Sequence, residues 1–335
     1  LRVLILANSS SGSGKASALV VAAAHALRGR GHLATTMPVP GSTTPPHERD
    51  AFANEFRERL ASADLLVVAG GDGTIHHILE PVVARGVPLY HFPFGTENLF
   101  ARDFAMRNDP QALLGAIDRG ATSLVDVGVI DPAPGATPPT AAPWDARLFA
   151  IMCSVGPDAA VVHRLAAVRR GPISHLSYVR PVMDEMHEPW LPVVNIEVNG
   201  RAIVHERRGM VVVANSRQYA ARLDPAFHAR NDDGLLDVVF FPADTGVEVV
   251  GWYLRSRLRM NGIDGSGAIH AVGRTIRVHS PDRSPRCQVD GEAGPPLARL
   301  DLSFALHPSR LRVLLGPGAS STPTASNPWA LSKSN

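Results

Sequence analysis

Residues 65–86, LLVVAGGDGTIHHILEPVVARG, decide the fold. An apolar run of β-formers from Leu65 breaks into Gly70-Gly71-Asp72-Gly73-Thr74, and apolar residues then resume at helical spacing. A strand passing through a glycine-rich turn into a helix is half of a β-α-β unit. Backbone N–H groups in such a turn converge on one point. A helix starting near Thr74 adds its positive end there, which makes a phosphate cradle. Glycine at position 71 is expected both for close approach of backbone to phosphate and for a positive φ. Asp72 is the odd element, because a carboxylate repels phosphate unless a divalent cation lies between them. The turn therefore points to Mg²⁺-nucleotide chemistry. The plainer alternative is a tight turn with Asp72 as a helix N-cap.

Working outward, RVLILA, HLATTMPV, DLLVVAG and VPLYHFPF alternate with helical patterns at 15–30, 48–62, 75–85, 97–106 and 110–119. That alternation predicts a doubly wound, mostly parallel α/β domain over residues 1–126. The Pro/Ala-rich stretch 131–145 reads as a loop or hairpin insertion. Beyond it, β-rich runs recur at short spacing, with helical patches at 158–188 and 244–260. They predict an antiparallel, sandwich-like second domain over 127–317, with the last strand, about 305–316, free to return to the first domain. Residues 318–335 are small, polar and proline-containing, and read as a disordered tail.

The chain has 335 residues, 45% hydrophobic and 19% charged, enough for two cores. Its formal charge of +2 gives no ground for a nucleic-acid partner. Two cysteines, Cys153 and Cys287, suit a reducing compartment and make a structural disulfide an unfavoured reading. The opening LRVLILANSS lacks the pattern of a signal peptide and reads as a buried strand. No uninterrupted apolar run is long enough to span a bilayer, so a cytoplasmic location with peripheral membrane contact is expected. NSSSGSGKAS at 8–17 misses the P-loop pattern: Ser9 stands where the first glycine belongs, and Ala16 follows Lys15. It remains a candidate second phosphate-contacting turn. His76 and His77, adjacent on one helix, point to different faces and make a poor metal pair, so exposed or capping roles are expected.

The chain resembles the diacylglycerol kinase catalytic-domain family, which includes soluble bacterial diacylglycerol kinases and sphingosine and ceramide kinases. The resemblance rests on GGDGT at 70–74, PFGTENLFARDF at 93–104, VGPDAAVV at 155–162, VVVANS at 211–216, NDDGLLDVVFF at 231–241 and VDGE at 289–292. It implies an α/β nucleotide domain and a β-rich lipid domain with the active site in the cleft between them. The implied reaction transfers the γ-phosphoryl group of ATP to the hydroxyl of a lipid such as diacylglycerol or a sphingoid base. Nucleotide-contacting positions implied are Asn8, Ser9, Ser10, Ser11 and Gly12; Gly70 to Thr74 with Ile75, His76 and His77; and Gly95, Thr96 and Asn98. Asp72 resembles the residue that organises Mg²⁺. Asp290 and Glu292 are the candidate bases, with Asp290 favoured as an Asp on a short hairpin stem. A second, structural Mg²⁺ is implied at the Asp233 carboxylate with the carbonyls of Arg230 and Leu235, against the plainer reading of a turn between strands. The chain departs from the family at Ser9, where proline is usual, and at His76-His77, where Asn-Glu is usual.

Such an enzyme meets its lipid at a membrane surface, and residues 161–180 and 252–260 combine arginine with aromatic and aliphatic side chains suited to that contact. The plainer reading of both is a solvated helix face. A homodimer is also compatible with the resemblance. Two competing functions are a non-catalytic lipid- or nucleotide-binding family member and an NAD kinase, which shares the GGDG turn.

Overall fold

The computed structural model describes residues 1–8, 15–41, 44–132, 148–168, 175–258, 267–283, 286–294, 297 and 299–319. They fall into two compact units, Leu1–Val125 with Ser309–Asn335, and Asp126–Ala142 with Ala146–Pro308.

In the first unit the elements alternate: β1 (Arg2–Ala7), α1 (Lys15–Gly29), β2 (Leu33–Pro38), α2 (Pro46–Ala61), β3 (Leu65–Gly70), α3 (Asp72–Arg85), β4 (Leu89–Pro93), α4 (Leu99–Asp103), α5 (Pro110–Arg119) and β5 (Thr122–Val125). β2, β1, β3 and β4 lie side by side, all parallel. β3 is buried along its whole length, as a strand covered on both faces must be. α3 and α5 end on Gly86 and Gly120, both left-handed, where glycine relieves the Cβ clash.

The second unit contains β6 (Gly128–Pro132), β7 (Leu148–Phe149), β8 (Met152–Val155), α6 (Pro157–Val168), α7 (His175–His187), β9 (Val193–Val198), β10 (Arg201–Ala214), β11 (Leu236–Pro242), α8 (Gly246–Arg257), β12 (Ile269–Gly273), β13 (Ile276–Arg283), β14 (Gln288–Val289), β15 (Glu292–Ala293) and β16 (Arg299–Leu306). The strand pairs of this unit are antiparallel. The long strand β10 gives the sheet its curl. Its first half pairs with β9, its second half with β8 and β11, and register shifts interrupt the first half. Gly209 stands at the changeover, where a Cβ would run into the Phe241 carbonyl and lie 2.8 Å from the Phe240 ring, so a side chain would not fit. The core inside the curl includes Phe149, Val194, Ile196, Phe240, Val278 and Phe304. Cys153 and Cys287 are buried free thiols, and burial together with the neighbouring Cys287 pushes the Cys153 thiol up.

The last strand, β17 (Leu311–Leu314), belongs to the first unit's sheet, parallel to β4 and antiparallel to β5. Arg119 of α5 secures the two residues after this strand by donating to the carbonyls of Leu315 and Gly316, both at 2.6 Å. The Pro/Ala-rich stretch begins inside β6. Its residues 133–145, and 320–335 of the expected tail, lie outside the described residues.

Candidate functional site

In the first unit, the carboxyl ends of β1, β3 and β4 bring together Asn8, the Gly70–Thr74 turn and the Gly95–Asn98 loop. The chain leaves β1 toward β2 on one side and β3 toward β4 on the other, and this divergence point is where open α/β sheets bind ligands. Asn8 donates through its backbone N–H to the Ala69 carbonyl and through Nδ2 to Thr74 Oγ1, both at 2.9 Å, which ties the end of β1 to the turn.

α3 starts at Asp72, two residues before the expected Thr74, and its N-cap is Gly71, with no side-chain cap bond. Asp72 instead reaches across to another helix. Its Oδ2 accepts from Leu99 N at 2.9 Å and its Oδ1 from Phe100 N at 3.0 Å, so the carboxylate closes the first turn of α4. Asn98, left-handed at φ 52°, leaves that role open because its side chain turns back, accepting from Gly95 N at 2.7 Å and donating to Gly95 O at 2.8 Å. The Asp72 carboxylate thus joins the two glycine blocks, and the Asn98 amide braces the second of them.

One of the two reasons expected for Gly71 does not hold, and the structure adds another. Gly71 has φ −101° and ψ −178°, ordinary extended backbone, so no positive φ is required there. A Cβ on Gly95 would lie 2.8 Å from the Gly71 α-carbon, and one on Gly71 would lie 3.1 Å from that of Gly95. The two backbones touch, so a side chain at Gly95 has no room and one at Gly71 would be tight. A Cβ on Gly70 would meet Thr74 Oγ1 at 2.5 Å.

His91, in the middle of β4, was not singled out from the sequence. It is fully buried, and burial lowers its pKa to about 4, so at neutral pH the ring is uncharged. Nε2 lies 2.9 Å from the Gly70 carbonyl, which also accepts from Phe94 N at 2.8 Å, so a neutral Nε2–H fixes the entry to the turn. A lone polar residue within LYHFP was the available signal. His77 is exposed as expected, but His76 is 4% exposed, buried in the core face of α3. Ser9, Ser10, Ser11 and Gly12 lie outside the described residues, as does the side chain of Lys15.

The second unit holds the VDGE segment as a hairpin of β14 and β15 whose turn is Asp290-Gly291, at φ 50° and 84°, the mirror-image turn that suits twisted strands. Asp290 is 5% exposed. Its Oδ2 accepts from Ala150 N at 2.8 Å and its Oδ1 from Ile151 N and Met152 N, each at 2.9 Å. Gln288 braces the same turn: its Oε1 accepts from Gly291 N at 2.8 Å and its Nε2 donates to Ser154 Oγ at 2.7 Å. Ser154 donates onward to Asp158, which also accepts from Tyr219 Oη at 2.5 Å. Burial first, then the Asp158 charge, pushes the Tyr219 phenol well up, so it remains a donor. Glu292, in contrast, is half-buried at the start of β15. Asp158 and Gln288 stand in or beside the VGPD and VDGE blocks, yet the sequence did not disclose that they work together.

Around Asp233, Oδ1 accepts from Leu235 N at 3.1 Å, and Asp126 Oδ2 accepts from Gly234 N at 2.8 Å, so a turn between strands is present. Arg230 Nε donates to Asp232 at 3.3 Å. Burial, reinforced by the charges of Asp237 and Asp126, raises the Asp233 pKa. Asp233 is nonetheless exposed, and among the described residues no group of three or more His, Cys, Asp or Glu side chains is placed to hold a metal ion, so a cation here would rest on this one carboxylate with carbonyls and water. Asn215 of VVVANS supports this region by donating to the Asp126 carbonyl at 2.7 Å and the Ala150 carbonyl at 2.9 Å.

Residues 2–130 match the family model for the diacylglycerol kinase catalytic domain, and residues 151–315 match that for the YegS C-terminal NAD kinase beta sandwich-like domain. The probable lipid kinase YegS-like of Pseudomonas syringae pv. tomato is 30% identical over 285 residues, which cover 81% of this chain and 83% of that protein. The chain belongs to the diacylglycerol kinase catalytic-domain family. A diacylglycerol kinase of Mycobacterium tuberculosis is 25% identical over 59% of this chain and 63% of its own length. The first curated relatives are thus matched over only 50% to 63% of their length. A solved diacylglycerol kinase structure from Bacillus anthracis superposes with a TM-score of 0.65 at 16% identity, covering 95% of this chain and 98% of that one, which shows a shared fold. Kinase chemistry is the activity for which the family's relatives are named, and no helix among the described residues is long and apolar enough to cross a membrane.

Proposed function

We propose that this protein transfers the γ-phosphoryl group of ATP to the hydroxyl of a lipid alcohol. The observation that carries the reading is the Asp72 bridge, which locks the GGDGT turn against the Gly95–Asn98 loop at the ligand-binding end of a parallel sheet. Phosphoryl transfer asks the protein mainly to position groups and neutralise charge, and a braced, glycine-lined turn suits that demand. Asn8, Gly70 to Thr74, and Thr96 would hold the nucleotide. A carboxylate at the mouth of this turn is the ligand type a hard cation takes, so Asp72 would hold Mg²⁺ beside its bridging role. Bound there, Mg²⁺ would offset the negative charge of the phosphates. Asp233 with the carbonyls of Arg230 and Leu235 would hold a second, structural cation.

Of the two candidate bases we assign proton acceptance to Glu292. Asp290, favoured from sequence alone, spends its carboxylate on three backbone donors in a buried setting, which makes it a clamp for the hairpin. The test is incubation of the purified protein with labelled ATP, Mg²⁺ and a panel of lipid alcohols in mixed micelles, with NAD⁺ as a separate arm. A phosphorylated lipid supports the proposal. Phosphorylation of NAD⁺ alone would replace it, and no product in any arm from a nucleotide-binding protein would favour a non-catalytic member.

A further inference from the structure

α8 is anchored on one side only. Val249, Trp252 and Ser256 are buried, the Trp252 ring packs 5.1 Å from that of Phe241, and its Nε1 donates to the Pro242 carbonyl at 2.7 Å. A complete capping box between Thr245 and Glu248 fixes the helix start. On the opposite side Val247, Leu254 and Leu258 are 82%, 61% and 67% exposed. At about 100° per residue, these three and Gly251 fall within about 60° of one another. They form one apolar stripe along the whole helix.

The charges around this stripe are ordered. Arg255 and Arg257, both exposed, lie about 70–90° to either side of its centre. Arg255 is held in place over the Trp252 ring, 4.8 Å from its centroid. The exposed acidic groups beside it are Asp244, which precedes the cap, and Glu248 in the first turn, which is engaged in the cap. An apolar stripe flanked on both sides by arginine matches a surface with an apolar interior and an anionic face, and a protein partner would not require that symmetry.

We propose that the α8 face of Val247, Leu254 and Leu258, flanked by Arg255 and Arg257, docks this protein on anionic lipid bilayers. The purpose of the docking rests on the lipid-kinase reading, but the binding itself does not. The stripe inserts at the acyl boundary while the two guanidinium groups stay at headgroup level.

The test is co-sedimentation of the full chain with phosphatidylcholine vesicles, with and without phosphatidylglycerol. The protein is expected to partition onto the phosphatidylglycerol vesicles. Leu254→Asp should lower that partition by about tenfold or more, and Arg257→Glu by several-fold. Val21→Asp, at an exposed apolar residue of α1, should change nothing. Urea midpoints must match the wild type, since each replaced side chain is exposed. Absence of wild-type binding, or equal binding by Leu254→Asp, overturns the proposal. So does a dimer in light scattering that Leu254→Asp dissociates, because the stripe would then belong to a second copy of the chain. Vesicle binding with no lipid phosphorylated would leave docking standing and remove the kinase reading.

Discussion

Asp290→Asn separates a structural carboxylate from a catalytic one. The substitution keeps size and shape, and asparagine accepts the left-handed φ of 50° as readily as aspartate, so backbone strain does not enter. What changes is acceptor capacity. The amide oxygen can replace Oδ1 and accept from Ile151 and Met152, but the NH₂ then faces Ala150 N, donor against donor. One buried N–H loses its partner at a cost of about 1–3 kcal/mol, and two charge-assisted bonds become neutral ones, each weaker by about 0.5–1.5 kcal/mol. The sum is a destabilisation of about 2–6 kcal/mol. Glu292→Gln, at a half-buried residue at the start of β15, should stay within about 1 kcal/mol of wild type while kcat falls by about 10² to 10⁴. Urea titration followed by circular dichroism, together with hydrogen exchange at the amides of residues 150–152, reads the first effect. Steady-state kinetics on an accepted lipid read the second. A wild-type urea midpoint and unchanged amide protection in Asp290→Asn would refute the clamp, and full turnover by Glu292→Gln would refute its assignment as base.

Asp72→Ala should abolish turnover, by about 10²-fold or more, and also loosen α4, seen as faster amide exchange at Leu99 and Phe100; unchanged exchange there would contradict the bridge. Gly95→Ala drives a Cβ to 2.8 Å from the Gly71 backbone and should cost about 1–3 kcal/mol and weaken ATP binding measured by calorimetry; a wild-type response in both would remove the glycine contact from the site. His91 has its folded pKa lowered from 6.5 to about 4, so the unfolded chain binds the extra proton between these values. Its contribution is therefore complete above about pH 6.5 and drains away as pH falls toward 4, by about 3 kcal/mol in all. His91→Gln should flatten that part of the stability profile in urea unfolding between about pH 7.5 and about pH 4; an unchanged slope would assign the acid sensitivity elsewhere.

The sequence by itself determined the two kinds of sheet. Apolar runs alternating with helical periodicity in Leu1–Val125 allow little but parallel strands covered on both faces, and short strands with Asn, Asp and Gly turns beyond that point allow little but antiparallel pairing. GGDGT was legible as a glycine turn carrying a carboxylate, and PFGTEN, VGPD and VDGE were legible as blocks of resemblance to a known family. What each residue in them does was decided only by tertiary structure. Periodicity reports which way a side chain faces along its own element and is blind to the partner that arrives from elsewhere in the chain. Asp72, read as a Mg²⁺-organising carboxylate or a local cap, also closes a helix 27 residues away; Gly71, expected at positive φ, is extended and lies against Gly95; and Asp290, favoured as a base, accepts from three amides 138 to 140 residues distant. His91 and Gln288 left even less trace, because one polar side chain inside a strand reads the same whether its hydrogen bond is structural or functional until the carbonyl or amide it meets is in place.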